Sequence, residues 1–438
     1  MNSIASPRRT DPAALPAEMV RTASIALASI VLTVLMISFR PFQPAASADA
    51  AKGGDIVNQL GYAGLGVVAV LAVLALADRR RAATLLSGWW AAMIAMLFFS
   101  TLAAADPGSS MRTALFTLFA MAAMSCVVVV VRDADSLSRV LVTAAVVVLG
   151  MSYAGLVVFP DIAKHTADSL EAQHAGLWRG VFSHKNIAGP VMAVFSFAGI
   201  YLMRRGWRWP GIAIFVLSIF FMAHTGSKTT LGSVPLVAML VIVPGIVGLR
   251  RLTPLLFVAG LVIGALATIG IVFIPALKAL AHDLAPDLTY TGRTQLWAYA
   301  GEMIAKSPWR GYGFESFWGT PLVTESDRFF DDDWDISNIV HGHDGYLDIA
   351  IGMGLPALAV AVVVLVLLPA VDYARTPLLR ENVLASDFFM MAAAFCALNG
   401  LLETFFFRRA DPVWLLFFMA VIGLRVTARL RFPAREET

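Results

Sequence analysis

Residues 255–276 read LLFVAGLVIGALATIGIVFIPA, an apolar run without a single charged side chain. A helix needs about 20 such residues to cross a hydrocarbon layer of about 30 Å, so this run is long enough to span a membrane. It also settles how the rest of the chain is read. Similar runs recur on both sides of it, at about 22–39, 60–77, 82–104, 113–131, 137–159, 187–203, 210–223, 229–246, 345–370, 384–404 and 411–429. With 255–276 they make twelve. The seventh is short, which leaves ten or eleven open. The chain has 438 residues, of which 58% are apolar and 14% charged, well below the quarter charged that is usual in soluble domains. The expected fold is an all-α polytopic membrane protein of about 12 transmembrane helices, with a large extracytoplasmic loop carrying an amphipathic helix.

Arginine and lysine accumulate on the cytoplasmic side of membrane proteins. With the N-terminus inside, the cytoplasmic ends hold Arg8, Arg9, Arg21, Arg79, Arg80, Arg81, Arg132, Arg139, Arg204, Arg205, Arg208, Arg250, Arg251, Arg375, Arg380, Arg425, Arg429, Arg431 and Arg435. That is 19 of the 33 basic residues in well under half of the loop length. An even number of spans brings the basic C-terminus to the same side. The first apolar run is longer than a signal-peptide core and is read as an uncleaved helix. The expected organisation is therefore a cytoplasmic tail (1–21), a membrane domain of nine helices (22–276), a large periplasmic loop (277–344), a membrane domain of three helices (345–429) and a cytoplasmic tail (430–438).

The net charge of +3 is spread over loop ends, which excludes a nucleic-acid partner. Cys126 and Cys396 both lie in apolar runs, so no disulfide framework or zinc cage is expected. Two segments exceed simple connections, about 160–186 and 277–344, and loops of that length are usually functional or disordered. The second is too rich in Trp, Tyr and Phe to read as disordered. Within it, Leu296, Trp297, Ala300, Met303 and Ile304 recur at helical spacing, predicting an amphipathic helix over 293–306 on the membrane or on the bundle.

All seven histidines (His165, His174, His184, His224, His282, His341 and His343) fall on the outer side of this topology. Three clusters there carry candidate chemistry. The first is Trp178-Arg179-Gly180-Val181-Phe182-Ser183-His184-Lys185-Asn186. Arg offers a planar fork and Lys a point charge to a phosphate; the plain alternative is a pair of interface anchors. The second is Thr291-Gly292-Arg293, where a helix start and an arginine favour an anion; the alternative is a solvated first-turn residue. The aromatic loop that follows, with Trp309, Tyr312, Phe317 and Trp318, suits sugar stacking or an interfacial belt. The third is His341-Gly342-His343-Asp344-Gly345-Tyr346-Leu347-Asp348. A histidine can take a proton from a hydroxyl near neutral pH, with Asp344 or Asp348 available to orient it; the alternative is an ordinary loop histidine. The acidic run Asp331, Asp332, Asp333 and Asp335 raises a metal reading. The calcium-loop pattern fails, because Ile336 stands at its Gly and Gly342 at its Glu. Thr225, Ser227 and Lys228, and Glu403, Arg408 and Arg409, can reach the same surface in a compact bundle.

Taken together, the three clusters resemble the O-antigen ligase and polymerase family of bacterial envelope enzymes. Arg179 with His184-Lys185-Asn186 resembles its first-loop motif. Thr291-Gly292-Arg293 with Trp297, Pro308 and Gly311-Tyr312-Gly313 resembles the motif that opens the large loop. His343-Asp344-Gly345-Tyr346-Leu347 resembles the His-Asn-x-x-Leu motif that closes it, with Asp344 in place of Asn. The wording around His184 is closest to the exopolysaccharide polymerase branch.

The resemblance implies an inner-membrane glycosyltransferase working at the periplasmic face. Its donor is an oligosaccharide on undecaprenyl pyrophosphate, and a glycan acceptor hydroxyl displaces the lipid pyrophosphate with inversion. The implied base is His343, and Arg179 and Arg293 hold the pyrophosphate. Lys185, His184, Lys228, His341 and Tyr312 are further substrate-binding candidates. The reaction implies no metal and no cofactor, and it admits a chain-length regulator as a further partner. The alternatives are a ligase that moves glycan to lipid A core and, in another class, a polysaccharide transporter or flippase. Transporters place ionisable groups near the midplane of their spans, which here are nearly free of charge.

Overall fold

The computed structural model describes residues 16–42, 56–167, 172–284, 290, 292–326 and 339–434. The protein is an all-α polytopic membrane protein. Ten of its helices are long and apolar enough to cross a membrane. They are α1 (Ala17–Ile37), α2 (Ile56–Leu76), α4 (Pro107–Val129), α5 (Ala134–Val158), α6 (Lys185–Arg205), α8 (Lys228–Ile246), α9 (Arg250–Phe273), α13 (Leu355–Arg375), α14 (Arg380–Asn399) and α15 (Pro412–Arg429). Two shorter apolar helices, α3 (Gly88–Ser100) and α7 (Arg208–His224), stand where the third and seventh spans were expected. Further helices among the described residues include α10 (Pro275–Leu284), α11 (Arg293–Lys306) and α12 (Gly345–Met353).

The centre of the bundle is α6, α14 and α15, of whose apolar windows 78%, 83% and 83% are buried. At α2 and α9 the share is 22%, which leaves those helices at the edge with apolar faces outward. Such all-round hydrophobicity is tolerable only where lipid replaces water. Helix α6 packs on α7 and α14, and α14 on α15. Close approach of α6 and α7 depends on Gly199 and Gly211. A Cβ on either would lie 2.8 Å from the other's carbonyl oxygen.

The basic helix ends used to orient the chain also have acidic partners. Arg204 pairs with Asp387 at 2.8 Å, Arg205 with Glu381 at 2.7 Å, and Arg250 with Asp387 at 3.3 Å. Asp387 lies seven residues inside α14, so the spans are less free of charge than they read. Its charge is tolerated because two guanidinium groups and the Tyr373 hydroxyl surround it. These contacts tie α6 and α9 to α14 at the end opposite the candidate site.

The tenth predicted span, 345–370, is broken in two at Gly354. Its φ is +84°, and a Cβ there would meet the Trp309 carbonyl oxygen at 2.5 Å. The Leu355 N–H donates to the Pro308 carbonyl at 2.7 Å. The apolar run before the break, α12, belongs with the large loop, where Leu347, Ala350 and Ile351 pack on α11. The predicted amphipathic helix is α11. It lies on the bundle, burying Leu296, Trp297, Ala300, Met303 and Ile304.

Candidate functional site

The third cluster owes its shape to Asp348 and Trp297. Both Asp348 oxygens accept from the Gly342 N–H, at 3.1 and 3.0 Å. They also accept from Trp318 Nε1 and Thr404 Oγ1, each at 2.7 Å. Trp297 Nε1 donates to the Gly342 carbonyl at 3.0 Å. Gly342 is thus gripped on both sides, and the next residue, His343, is held at φ +52°. A side chain in this left-handed region costs about 1–3 kcal/mol and persists where its surroundings over-determine it. Asp348 therefore builds the turn rather than orienting the imidazole.

Asp344 does not orient it either. It caps α12, one oxygen accepting from the Leu347 N–H at 2.8 Å, while its other oxygen has no hydrogen-bond partner. The side chain is fully buried, and burial holds its carboxyl well above the usual range. Asp and Asn are near-equivalent caps, so the departure at this position keeps the capping role.

The carboxylate that faces His343 is Glu403, in the turn between α14 and α15. Its Oε2 lies 3.7 Å from His343 Nδ1, and its Oε1 lies 3.1 Å from Arg293 Nη2 and 3.3 Å from Asn186 Nδ2. Arg293 also donates to the Leu402 carbonyl. Burial alone would raise the Glu403 carboxyl. His343 and Arg293 outweigh it and hold the group below its ordinary value. The ring of His341 lies 4.2 Å from that of His343, centroid to centroid. Burial, reinforced by His343, Arg408, Arg293 and His184, keeps His341 well below the usual imidazole range.

Arg293, Glu403 and Asn186 line a cleft of about 350 Å³, with Ser227, Thr229, Thr230, Asn399, Leu402 and Pro190 completing its walls. Residues from all three sequence clusters and from the turns before α8 and after α14 therefore meet at one end of the bundle. His184 caps α6, its Nδ1 accepting from the Asn186 N–H at 3.1 Å. The Lys185 N–H donates to His165 Nε2 at 3.2 Å, and the rings of His165, His174 and His184 cluster with centroids 4.8–5.7 Å apart. Lys228 is exposed at the start of α8, between the cleft residues Ser227 and Thr229.

Two candidates are used differently. Arg179 is buried within its own loop, donating to the Ser183 carbonyl at 2.8 Å, and does not line the cleft. Tyr312 donates to the Met303 carbonyl at 3.0 Å and packs on Phe317. The aromatic loop is largely internal, with Phe314 and Phe317 buried; Trp309, 76% exposed, is the exception. Thr291 and the acidic run at 331–335 lie outside the described residues. Among the described residues no group of His, Cys, Asp and Glu is arranged to hold a metal ion.

A multi-pass helical bundle with a histidine, an arginine and a carboxylate gathered at a polar cleft agrees with a membrane enzyme of the O-antigen ligase and polymerase type. Residues 213–362 match the family model described as O-Antigen ligase. Over 272 residues the chain is 25% identical to the exopolysaccharide production protein ExoQ of Rhizobium meliloti (strain 1021), a match spanning 60% of this chain and 60% of the relative. Both findings support the family recognised in the three motifs.

In the sequence Glu403 stands out only as able to reach this surface, and Asn399 does not stand out at all. The one signal available for each was a polar residue closing an apolar helix.

Proposed function

We propose that the protein is a membrane glycosyltransferase of the bacterial inner membrane that polymerises glycan carried on undecaprenyl pyrophosphate at the periplasmic face, in exopolysaccharide synthesis. The observation that carries this reading is Glu403 standing between Arg293 and His343 at the edge of a polar cleft. Glycosyl transfer from a diphosphate needs a base for a weakly acidic hydroxyl and a cation for the leaving group. The pair supplies both, linked through one carboxylate.

In this reading the acceptor hydroxyl oxygen attacks the anomeric carbon, and its proton passes to His343. The anomeric C–O bond breaks, and its electron pair leaves with the diphosphate, which Arg293 stabilises. Glu403 offsets the imidazolium charge as it forms. A single displacement of this kind inverts the anomeric centre and asks nothing of a metal. Lys185, Lys228 and His184 add positive or donor character around the same end. Arg179 supports the first loop from within and acts on the donor only if that loop opens.

Purified protein, reconstituted with a lipid-linked repeat unit, tests this. His343→Ala and Arg293→Ala are expected to abolish transfer while the protein still folds and inserts. Full activity of His343→Ala would reject the base assignment. A second reading, transfer to lipid A core, is favoured by the description of the matching family model. Loss of long-chain exopolysaccharide on deletion supports the polymerase, whereas normal chain length with uncapped acceptor supports the ligase.

A further inference from the structure

The cleft beside Glu403 is faced by three helix starts. Asn186 and Pro190 come from the first turns of α6, Ser227, Thr229 and Thr230 from the start of α8, and Arg293 is the first residue of α11. The Ser227 side chain gives α8 no cap; its hydroxyl is 2.6 Å from Thr230 Oγ1 instead. Helix starts carry partial positive charge and unpaired N–H groups. On their own they do not define a ligand.

Asn399 does. It closes α14, is only 8% exposed, and lines the cleft, yet its Nδ2 has no hydrogen-bond partner. Arg293 Nε, in the same wall, has none either. A buried amide left unpaired has lost its hydration without a replacement and calls for a partner. Both buried unmatched atoms are donors, and the helix starts around them are donors as well. A sugar hydroxyl would both give and take hydrogen bonds, whereas a diphosphate only accepts. The one acidic side chain in the wall, Glu403, already has its Oε1 engaged by Arg293 and Asn186.

We propose that Asn399 is a direct ligand of the donor's diphosphate, donating Nδ2 to a non-bridging oxygen in this cleft. The proposal rests on the donor reading given under Proposed function. The test uses the full chain in detergent, with undecaprenyl pyrophosphate and inorganic pyrophosphate as separate probes, followed by calorimetry and by the shift in melting temperature. Asn399→Asp keeps the shape and replaces the donor by an acceptor; it is expected to weaken both probes at least tenfold. Asn399→Ser, which shortens the side chain, is expected to weaken them severalfold and serves as the readout if the Asp variant does not fold.

Unchanged affinity in a folded variant would overturn the assignment. A loss confined to the lipid probe would also overturn it, by putting the contact on the lipid. Failure of the wild-type protein to bind either diphosphate would instead reject the donor reading, and this proposal with it.

Discussion

His343 and Arg293 approach opposite oxygens of one carboxylate: Glu403 Oε2 is 3.7 Å from the imidazole, and Oε1 is 3.1 Å from the guanidinium. Glu403→Gln keeps the shape and removes the charge, so kcat is expected to fall about 10²-fold with a smaller change in KM. Combined with His343→Ala it should cost little more than His343→Ala alone, because residues acting as a unit are not additive. Steady-state kinetics of the three variants measures this. Additive losses would mean that Glu403 acts independently of the histidine.

The same carboxylate fixes a pH dependence. Its folded pKa lies below its unfolded value of about 4.3. The stabilisation it contributes is therefore fully present above that value and lost as pH falls through the depressed pKa. Melting temperatures of wild type and Glu403→Gln should differ by a constant amount above about pH 4.3 and converge as pH falls below it.

Asp411 has the opposite sign. It caps α15 through the N–H groups of Val413 and Trp414, and burial pushes its carboxyl up to about 6. A raised carboxyl pKa contributes stability that is full below about 3.9 and lost as pH rises through 6. Asp411→Asn retains a capping oxygen without the charge. It should match wild type near pH 4 and exceed it above pH 7 by about 3 kcal/mol, read from thermal unfolding in detergent. A constant difference at all pH values would contradict this.

Asp344→Asn should leave melting temperature and transfer close to wild type, since burial disfavours the charged form of the capping carboxyl and Asn caps equally well. Asp344→Ala removes the cap and should cost about 1 kcal/mol. A large loss of activity in the Asn variant, with the fold intact, would instead give the Asp344 proton or charge a part in the chemistry.

Gly354 tests how the large loop is held. Alanine there would be strained at φ +84° and would press on the Trp309 backbone. Gly354→Ala is expected to cost more than about 1 kcal/mol and to loosen residues 308–326, measured as faster hydrogen exchange in that segment. Unchanged exchange would show that the loop is anchored elsewhere.

The spans and the amphipathic helix were legible because each has a period or a length that only one structure satisfies. Leu296, Trp297, Ala300, Met303 and Ile304 fall on one face of a helix wherever that helix lies. The break at Gly354 was not legible, since an apolar run gives no sign of where a distant loop will press on it. The histidine and the arginine stood out by their surroundings in sequence. Glu403 did not, because its role arises from residues 110 positions before it at Arg293 and 60 before it at His343, and no local pattern records such a meeting. Arg179 shows the converse. A conspicuous basic residue in a motif turns inward to its own loop, and only side-chain geometry reveals that.

The ion pairs Arg204–Asp387 and Arg205–Glu381 fasten α6 to α14 at one end, and Asn186–Glu403 joins them again at the other. The cleft lies between this doubly fastened pair and α8, which is only 28% buried. One wall is therefore fastened at both ends and the other less enclosed. A bulky cargo would then meet Glu403, Asn186 and Asn399 on the fastened side and Ser227, Thr229 and Thr230 on the less enclosed one.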